Sequence, residues 1–144
     1  MGTNIVSNPH IGAQLNQLQA SAADISISSR EAAFLAANAC EAKLAKSTIV
    51  LEVSSVTVLA DYFVIAGGES AAQVNAIADA VDDALGAKGY KARSIEGKSE
   101  ARWVLLDFGS VIVHVLQEKE RSYYKIEQFW NHALIVDRQE WVED

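Results

Sequence analysis

The stretch Glu96-Gly97-Lys98-Ser99-Glu100-Ala101-Arg102-Trp103-Val104-Leu105-Leu106-Asp107-Phe108-Gly109-Ser110-Val111-Ile112-Val113-His114-Val115-Leu116 decides how this chain folds. Two apolar runs flank Gly109-Ser110, the pattern of a β-hairpin with glycine at the first position of a two-residue turn. With Phe108 and Val111 flanking that turn, Trp103 faces Leu116, Leu105 faces His114 and Asp107 faces Ile112. Strand side chains alternate with period two, so these six share one face of the hairpin. Arg102, Val104, Leu106, Val111, Val113 and Val115 share the other, which reads as core. The first face mixes an aromatic, aliphatics, an acid and a histidine, a make-up suited to a binding surface anchored by a tryptophan. A helix laid over it would instead make Trp103 packing and His114 a satisfied interior imidazole, and the residues alone leave both readings open.

Upstream, Thr48-Ile49-Val50-Leu51-Glu52-Val53 and Tyr62-Phe63-Val64-Ile65-Ala66 are short and β-branched, and they predict two strands. The second runs into Gly67-Gly68-Glu69-Ser70. Ser70 and Gln73 have the spacing of a capping box, opening a helix whose Val74, Ile77, Ala78, Val81 and Leu85 form one stripe and which Gly86 and Gly89 close. A strand is expected near residues 91–95. An earlier helix starts at a second capping box, Ser28 with Glu31, and carries Leu35, Ala36, Ala39, Cys40 and Leu44 at helical spacing, with Lys43 and Lys46 in its last turn. Cys40 falls on the apolar stripe, as a small core residue. Downstream, Tyr123, Ile126 and Trp130 predict a helix over 118–130. The acidic segment after it holds Leu134, Ile135, Val136 and Trp141, either packing back or exposed. Together these elements predict an α/β protein of the α+β kind, a mixed sheet of about five strands flanked by helices.

The chain has 144 residues, half of them in the hydrophobic set, with 12 basic against 19 acidic residues and a formal charge of −7. That is one domain's worth of chain, large enough to bury a core without a disulfide or a metal. Cys40 is the only cysteine, so no intramolecular disulfide and no cysteine-rich zinc site is expected, and a lone thiol suits a reducing compartment. A cytoplasmic location is expected, with a chloroplast or mitochondrial interior as the alternative. No apolar run approaches a membrane span, and an acidic chain is a poor ligand for nucleic acid, so no membrane and no specific nucleic-acid contact is expected. Residues 1–28 are rich in Asn, Gln, Ser, Gly and Ala, with Asp24 as their one charge, and read as a disordered arm. A transit peptide is a competing reading that the missing arginines disfavour. The expected organisation is an arm over 1–28, a domain over 29–131 and an acidic tail over 132–144.

Catalytic signatures are weak. The Gly67-Gly68 turn before a helix could cradle a phosphate, but it meets neither the P-loop nor the dinucleotide fingerprint. A nucleotidyltransferase would need two carboxylates alternating on a following strand to hold metal ions, whereas Asp79, Asp82 and Asp83 lie in a helical pattern. Asp107-Phe108-Gly109 spells the kinase magnesium triplet in a chain far too short for a kinase. His10, His114 and His132 have no metal-site spacing, and no cofactor is expected.

The ordered series Asp61-Tyr62-Phe63-Val64-Ile65, Gly68-x-Ser70-x-x-Gln73, Ile77-Ala78-Asp79, Gly89, Glu96-Gly97, Trp103 through Gly109, Val111 through Val115 and Arg121-x-x-Tyr124-x-x-Glu127-x-x-Trp130 resembles the ribosomal silencing factor family, also called RsfS or Iojap. The departures are at loop edges: Ala60 stands where a Thr or Ser commonly precedes Asp61, and Glu69 where Asn or Thr is usual. The resemblance implies a nucleotidyltransferase-like fold without its catalytic carboxylates, and no enzymatic activity. It implies binding to the large ribosomal subunit through universal large-subunit ribosomal protein fourteen, which blocks joining of the small subunit when nutrients are scarce. It also turns the open face of the hairpin into the expected interface: Trp103 as the desolvated anchor, Asp107 as partner for a lysine or arginine, Glu96, Gly97 and Tyr124 as further contacts, and His114 as contact or orienting residue. The alternatives are a nucleotide-binding or nucleotidyl-transferring enzyme using the Gly67-Gly68 turn, and a homodimer formed through the sheet face.

Overall fold

A computed structural model describes residues 27–124 and 132–143. The elements run α1 (Ser29–Ala42), β1 (Lys46–Glu52), β2 (Tyr62–Gly68), α2 (Ala71–Gly86), β3 (Ser94–Glu96), β4 (Trp103–Asp107), β5 (Val111–Gln117), α3 (Glu118–Tyr124), β6 (Leu134–Ile135) and α4 (Arg138–Trp141). The six strands form one sheet in the order β3-β4-β5-β2-β1-β6. β2 and β5 pair in parallel and every other neighbour is antiparallel, so the sheet is mixed, as expected. A parallel pair cannot be closed by a tight turn, and α2 with the β3-β4 edge supplies the long crossover between β2 and β5.

The expected capping box forms in full at α1 and by half at α2. Ser28 Oγ accepts from the Glu31 amide and Glu31 Oε1 accepts from the Ser28 amide, which satisfies two N–H groups that lack intrahelical partners. At α2, Ser70 Oγ accepts from the Gln73 amide, but the Gln73 side chain accepts from the Glu69 amide, not from Ser70, and donates to the carbonyls of Lys43 and Leu44. Gln73 therefore ties the end of α1 to the start of α2. The far end of α2 closes on Gly89 at φ 86°, where the Tyr90 amide donates to the Leu85 carbonyl at 2.9 Å.

Helices α1 and α2 cover one face of the sheet. Ala32, Ala33, Ala36, Ala37 and Cys40 of α1 and Val74, Ile77, Ala78, Val81 and Leu85 of α2 bury against Val50, Val64, Ala66, Val104, Leu106, Val111, Val113 and Val115. The α1 stripe is rotated from the expected one: Leu35 and Ala39 are only partly buried, because the side chains that fit beneath this helix are alanines. Leu44 lies beyond the helix at φ 62° and is 79% exposed, and Lys43 and Lys46 fall outside the last turn as C-cap and first residue of β1. The other face holds a smaller cluster of Leu51, Val53, Ala60, Phe63, Ile65 and Leu116.

Two expectations for the sheet change. The strand near 91–95 is Ser94–Glu96, set by its pairing with β4, and the sheet gains a sixth strand from Leu134–Ile135, which pairs with the end of β1. Of the apolar residues after 131, Val136 and Trp141 pack back into the core, while Leu134 and Ile135 are 60% and 72% exposed. Helix α3 is described to Tyr124; its expected continuation to Trp130 lies outside the described residues, as does the arm expected over 1–28 except for Ile27, whose carbonyl accepts from the Tyr90 hydroxyl, and Ser28, which caps α1. Among the described residues no helix is long and apolar enough to cross a membrane.

Because Leu106 is fully buried and Leu105 points the other way, Leu106→Ala is expected to cost about 2–5 kcal/mol in urea unfolding, and Leu105→Ala about 1 kcal/mol or less. Equal losses at the two positions would contradict the assignment of faces.

Candidate functional site

The hairpin that carries the site has the register read from sequence: Trp103 opposite Leu116, Leu105 opposite His114 and Asp107 opposite Ile112. Its turn is fixed by a 2.9 Å bond from the Phe108 amide to the Val111 carbonyl, by Gly109 at φ 90°, and by a 2.8 Å bond from the Gly109 amide to Asp107 Oδ1. Val104, Leu106, Val111, Val113 and Val115 are buried under the helices. On the opposite face Trp103, Leu105, Asp107 and Ile112 are half-buried, and His114 and Leu116 are buried. The face is thus neither a dry core nor a bare surface.

Trp103 is held in place by its neighbour. Its indole Nε1–H donates to His114 Nδ1 at 3.2 Å, and the Phe63 ring packs edge-on against the imidazole with centroids 5.2 Å apart. Since Nδ1 accepts, the neutral ring carries its proton on Nε2, which is buried and has no hydrogen-bond partner among the described residues. His114 is 6% exposed, and burial pulls its pKa down to about 4, so it is uncharged at neutral pH.

The loop entering β4 sits directly beside Trp103. Glu96, the last residue of β3, pairs with Leu105, and Gly97 follows at φ 94°. A side chain at Gly97 would collide with the Trp103 carbonyl, so only glycine allows the loop this close. The loop is closed by the Ala101 amide donating to the Gly97 carbonyl at 2.8 Å and is tied to α2 by the Asn75 amide donating to the Lys98 carbonyl and by a Lys98–Asp79 ion pair. Glu96, Gly97, Trp103 and Leu105 line a shallow recess of about 310 Å³.

The structure therefore gathers four of the six expected site residues, Glu96, Gly97, Trp103 and His114, at one end of β4. Asp107 lies at the other end, four residues or roughly 13 Å along the strand. Its carboxylate is already engaged by Arg93 Nη2, 3.2 Å from each oxygen, and by the Gly109 amide. Tyr124 is the final residue of α3, and Glu127 and Trp130 of the same motif lie outside the described residues. Two participants were missed. Leu105 lies in the face that alternation defines, while Arg93 becomes a neighbour of Asp107 only through the pairing of Ser94 with Asp107.

Other sequence features are structural. Cys40 is fully buried, and burial with neighbouring Glu41 pushes its thiol up to about 12, far from a nucleophile. Gly67 and Gly68 belong to β2 and pair with Leu116 and Gln117. A side chain at Gly67 would strike the Glu118 carboxylate, and one at Gly68 would lie 2.9 Å from Val74, so these glycines serve close packing and do not form an open phosphate loop. Among the described residues no group of three or more His, Cys, Asp or Glu side chains is placed to hold a metal ion.

Fold and site define a small α+β protein with a six-stranded mixed sheet, helices on one face, and a pinned tryptophan beside a recess on the other. The family model described as ribosomal silencing factor during starvation, RsfS, matches residues 26–144, and the chain belongs to that family. It is 43% identical over 103 residues to the ribosomal silencing factor RsfS of Bacillus subtilis, covering 72% of this chain and 87% of that one. The corresponding protein of Halalkalibacterium halodurans is 38% identical over 111 residues, 77% of this chain and 95% of the relative. A crystal structure of a Chromobacterium violaceum protein superposes with a TM-score of 0.71 at 36% identity, covering 73% of this chain and 88% of that one.

His114 makes stability depend on pH. Its folded-state pKa, about 4, lies below the roughly 6.5 of the unfolded chain, so the unfolded state takes up the proton first. Stability from this group is complete above pH 6.5 and falls as pH drops toward 4, by up to about 3 kcal/mol. Urea unfolding of the protein and of His114→Phe at pH 7 and pH 4.5 checks this: the wild type loses more stability on acidification than the variant, and parallel losses would exclude His114 as the source.

Proposed function

We propose that this protein silences ribosomes without catalysis. It binds the large ribosomal subunit through universal large-subunit ribosomal protein fourteen and occupies a surface that the small subunit needs, so that joining is blocked and initiation falls under nutrient limitation. Family membership supports the ribosome as target. The observation that carries the choice of surface is the asymmetry of the β4-β5 hairpin: one face is sealed by α1 and α2, while the other holds Trp103 only partly buried and pinned by His114. A large aromatic group already fixed in one orientation loses little conformational freedom on binding, which is the property of a hot spot.

Occlusion requires only affinity and position, and among the described residues no metal-binding cluster is formed. Asp79, Asp82 and Asp83 sit on α2, and the Gly67-Gly68 pair is closed by Val74 and Glu118, which disfavours the nucleotidyl-transfer alternative. The charge of −7 favours a basic protein partner over direct contact with RNA and speeds encounter with it. A reducing interior, cytoplasmic in the simplest case, fits the free buried thiol.

Purified large subunits are expected to co-sediment with the protein and, once loaded, to resist joining by small subunits. Trp103→Ala should weaken the complex at least tenfold while leaving the helix-side core intact. Co-sedimentation that is unchanged by this substitution would sink the proposed surface.

A further inference from the structure

We infer that the recess between the Glu96-Gly97 loop and Trp103-Leu105 receives one long basic side chain, lysine or arginine, from the bound ribosomal protein, with Glu96 as its charge partner. This deepens the reading above and rests on it. The walls of the recess suit the aliphatic stem of such a side chain: Trp103 and Leu105 are apolar, and Gly97 offers bare backbone. The rim suits its head. Glu96 is exposed and has no ion-pair partner among the described residues, whereas the cations of the loop that follows it are already matched, Lys98 with Asp79 and Arg102 with Glu100 at 3.6 Å, and Arg93 is engaged by Asp107 at the far end of β4.

The same geometry tells against other occupants. A phosphate group would meet the Glu96 carboxylate, and a purely apolar side chain would strip water from that carboxylate and return no hydrogen bond. Asp107, the acid that sequence favoured for this role, is a poor receptor. Its two oxygens already serve Arg93 and the Gly109 amide, and a basic partner would have to displace Arg93 and loosen the turn to reach it. The free carboxylate beside the tryptophan is Glu96. The neighbouring indole adds attraction for a cation that lies across it.

The test compares wild type, Glu96→Gln and Asp83→Asn in co-sedimentation with large subunits at low and at high salt. Glu96 is at the surface, so its substitution leaves folding intact. Glu96→Gln is expected to bind roughly tenfold more weakly at low salt, with the gap narrowing as salt rises, and Asp83→Asn, which removes an exposed acid from α2 on the other side of the sheet, to keep the wild-type salt dependence. If Glu96→Gln binds subunits with wild-type affinity and salt dependence, the basic-side-chain receptor is wrong while ribosome binding stands. If the wild type does not bind subunits, the ribosome reading fails and the recess is judged by NMR titration with Nα-acetyl-lysine methylamide. Saturable shifts of the Gly97 amide and the Trp103 indole that disappear in Glu96→Gln then support the receptor, and their absence in the wild type overturns it.

Discussion

The register of the β4-β5 hairpin is the constraint on which the rest of the molecule depends. A slip of one residue would carry Val104, Leu106, Val113 and Val115 to the open face and bring Trp103 and Asp107 beneath the helices. Nothing in the apolar pattern alone forbids that slip, because both faces carry aliphatics. What forbids it is the turn. Gly109 takes a positive φ that most residues resist, the Phe108 amide reaches the Val111 carbonyl, and the Asp107 carboxylate caps the Gly109 amide. Asp107 thus acts first on the strand that carries it. The parallel pairing of β5 with β2 then fixes the hairpin to the remaining strands, with Ile65 opposite His114 and Phe63 opposite Ile112.

Once the register is set, the site follows from two further constraints. His114 is carried to the cross-strand neighbourhood of Trp103 and Leu105, where a buried neutral imidazole offers one nitrogen to the indole. Gly97 lets the preceding loop run against the Trp103 carbonyl, and Ala101 at φ 54° turns the chain into β4. That backbone is strained, and it is held by bonds at both ends, to α2 through Asn75 and to β5 through the Gln117 side chain on the Ala101 carbonyl. The recess is therefore a consequence of backbone geometry and would not be recovered by choosing side chains alone.

Much of this was legible in the sequence, and the reasons are local. Capping at Ser28 and Ser70, the stripe of α2, the hairpin turn and the alternation on β4 and β5 depend on residues within a few positions of each other. The family resemblance rests on those same positions. The features that escaped depend on pairing across long separations. The Arg93–Asp107 ion pair needs β3 beside β4, Gln73 reaches the carbonyls ending α1, and β6 exists only because Leu134 and Ile135 lie against β1. The Gly67-Gly68 pair shows the same limit in reverse. Its composition suggests a ligand loop, and only the positions of Glu118 and Val74 reveal that the missing side chains make room for packing.

The chemistry of the face also bears on how such a factor could be regulated. A histidine beside the proposed anchor tryptophan invites a proton switch, but burial pulls the His114 pKa down to about 4, which keeps the imidazole neutral near pH 7. A neutral His114 leaves Nδ1 free to accept from the Trp103 indole, and Cys40, fully buried in the core, is shielded from solvent oxidants. The site is preorganised and insensitive to protons. In the proposed reading its occupancy is then set by mass action, the number of factor molecules against the number of free large subunits, and by the ionic strength that governs encounter between an acidic protein and a basic surface. Control would lie in the amount of protein made and in competition with the small subunit, a requirement that occlusion meets and that allostery within this small fold would only complicate.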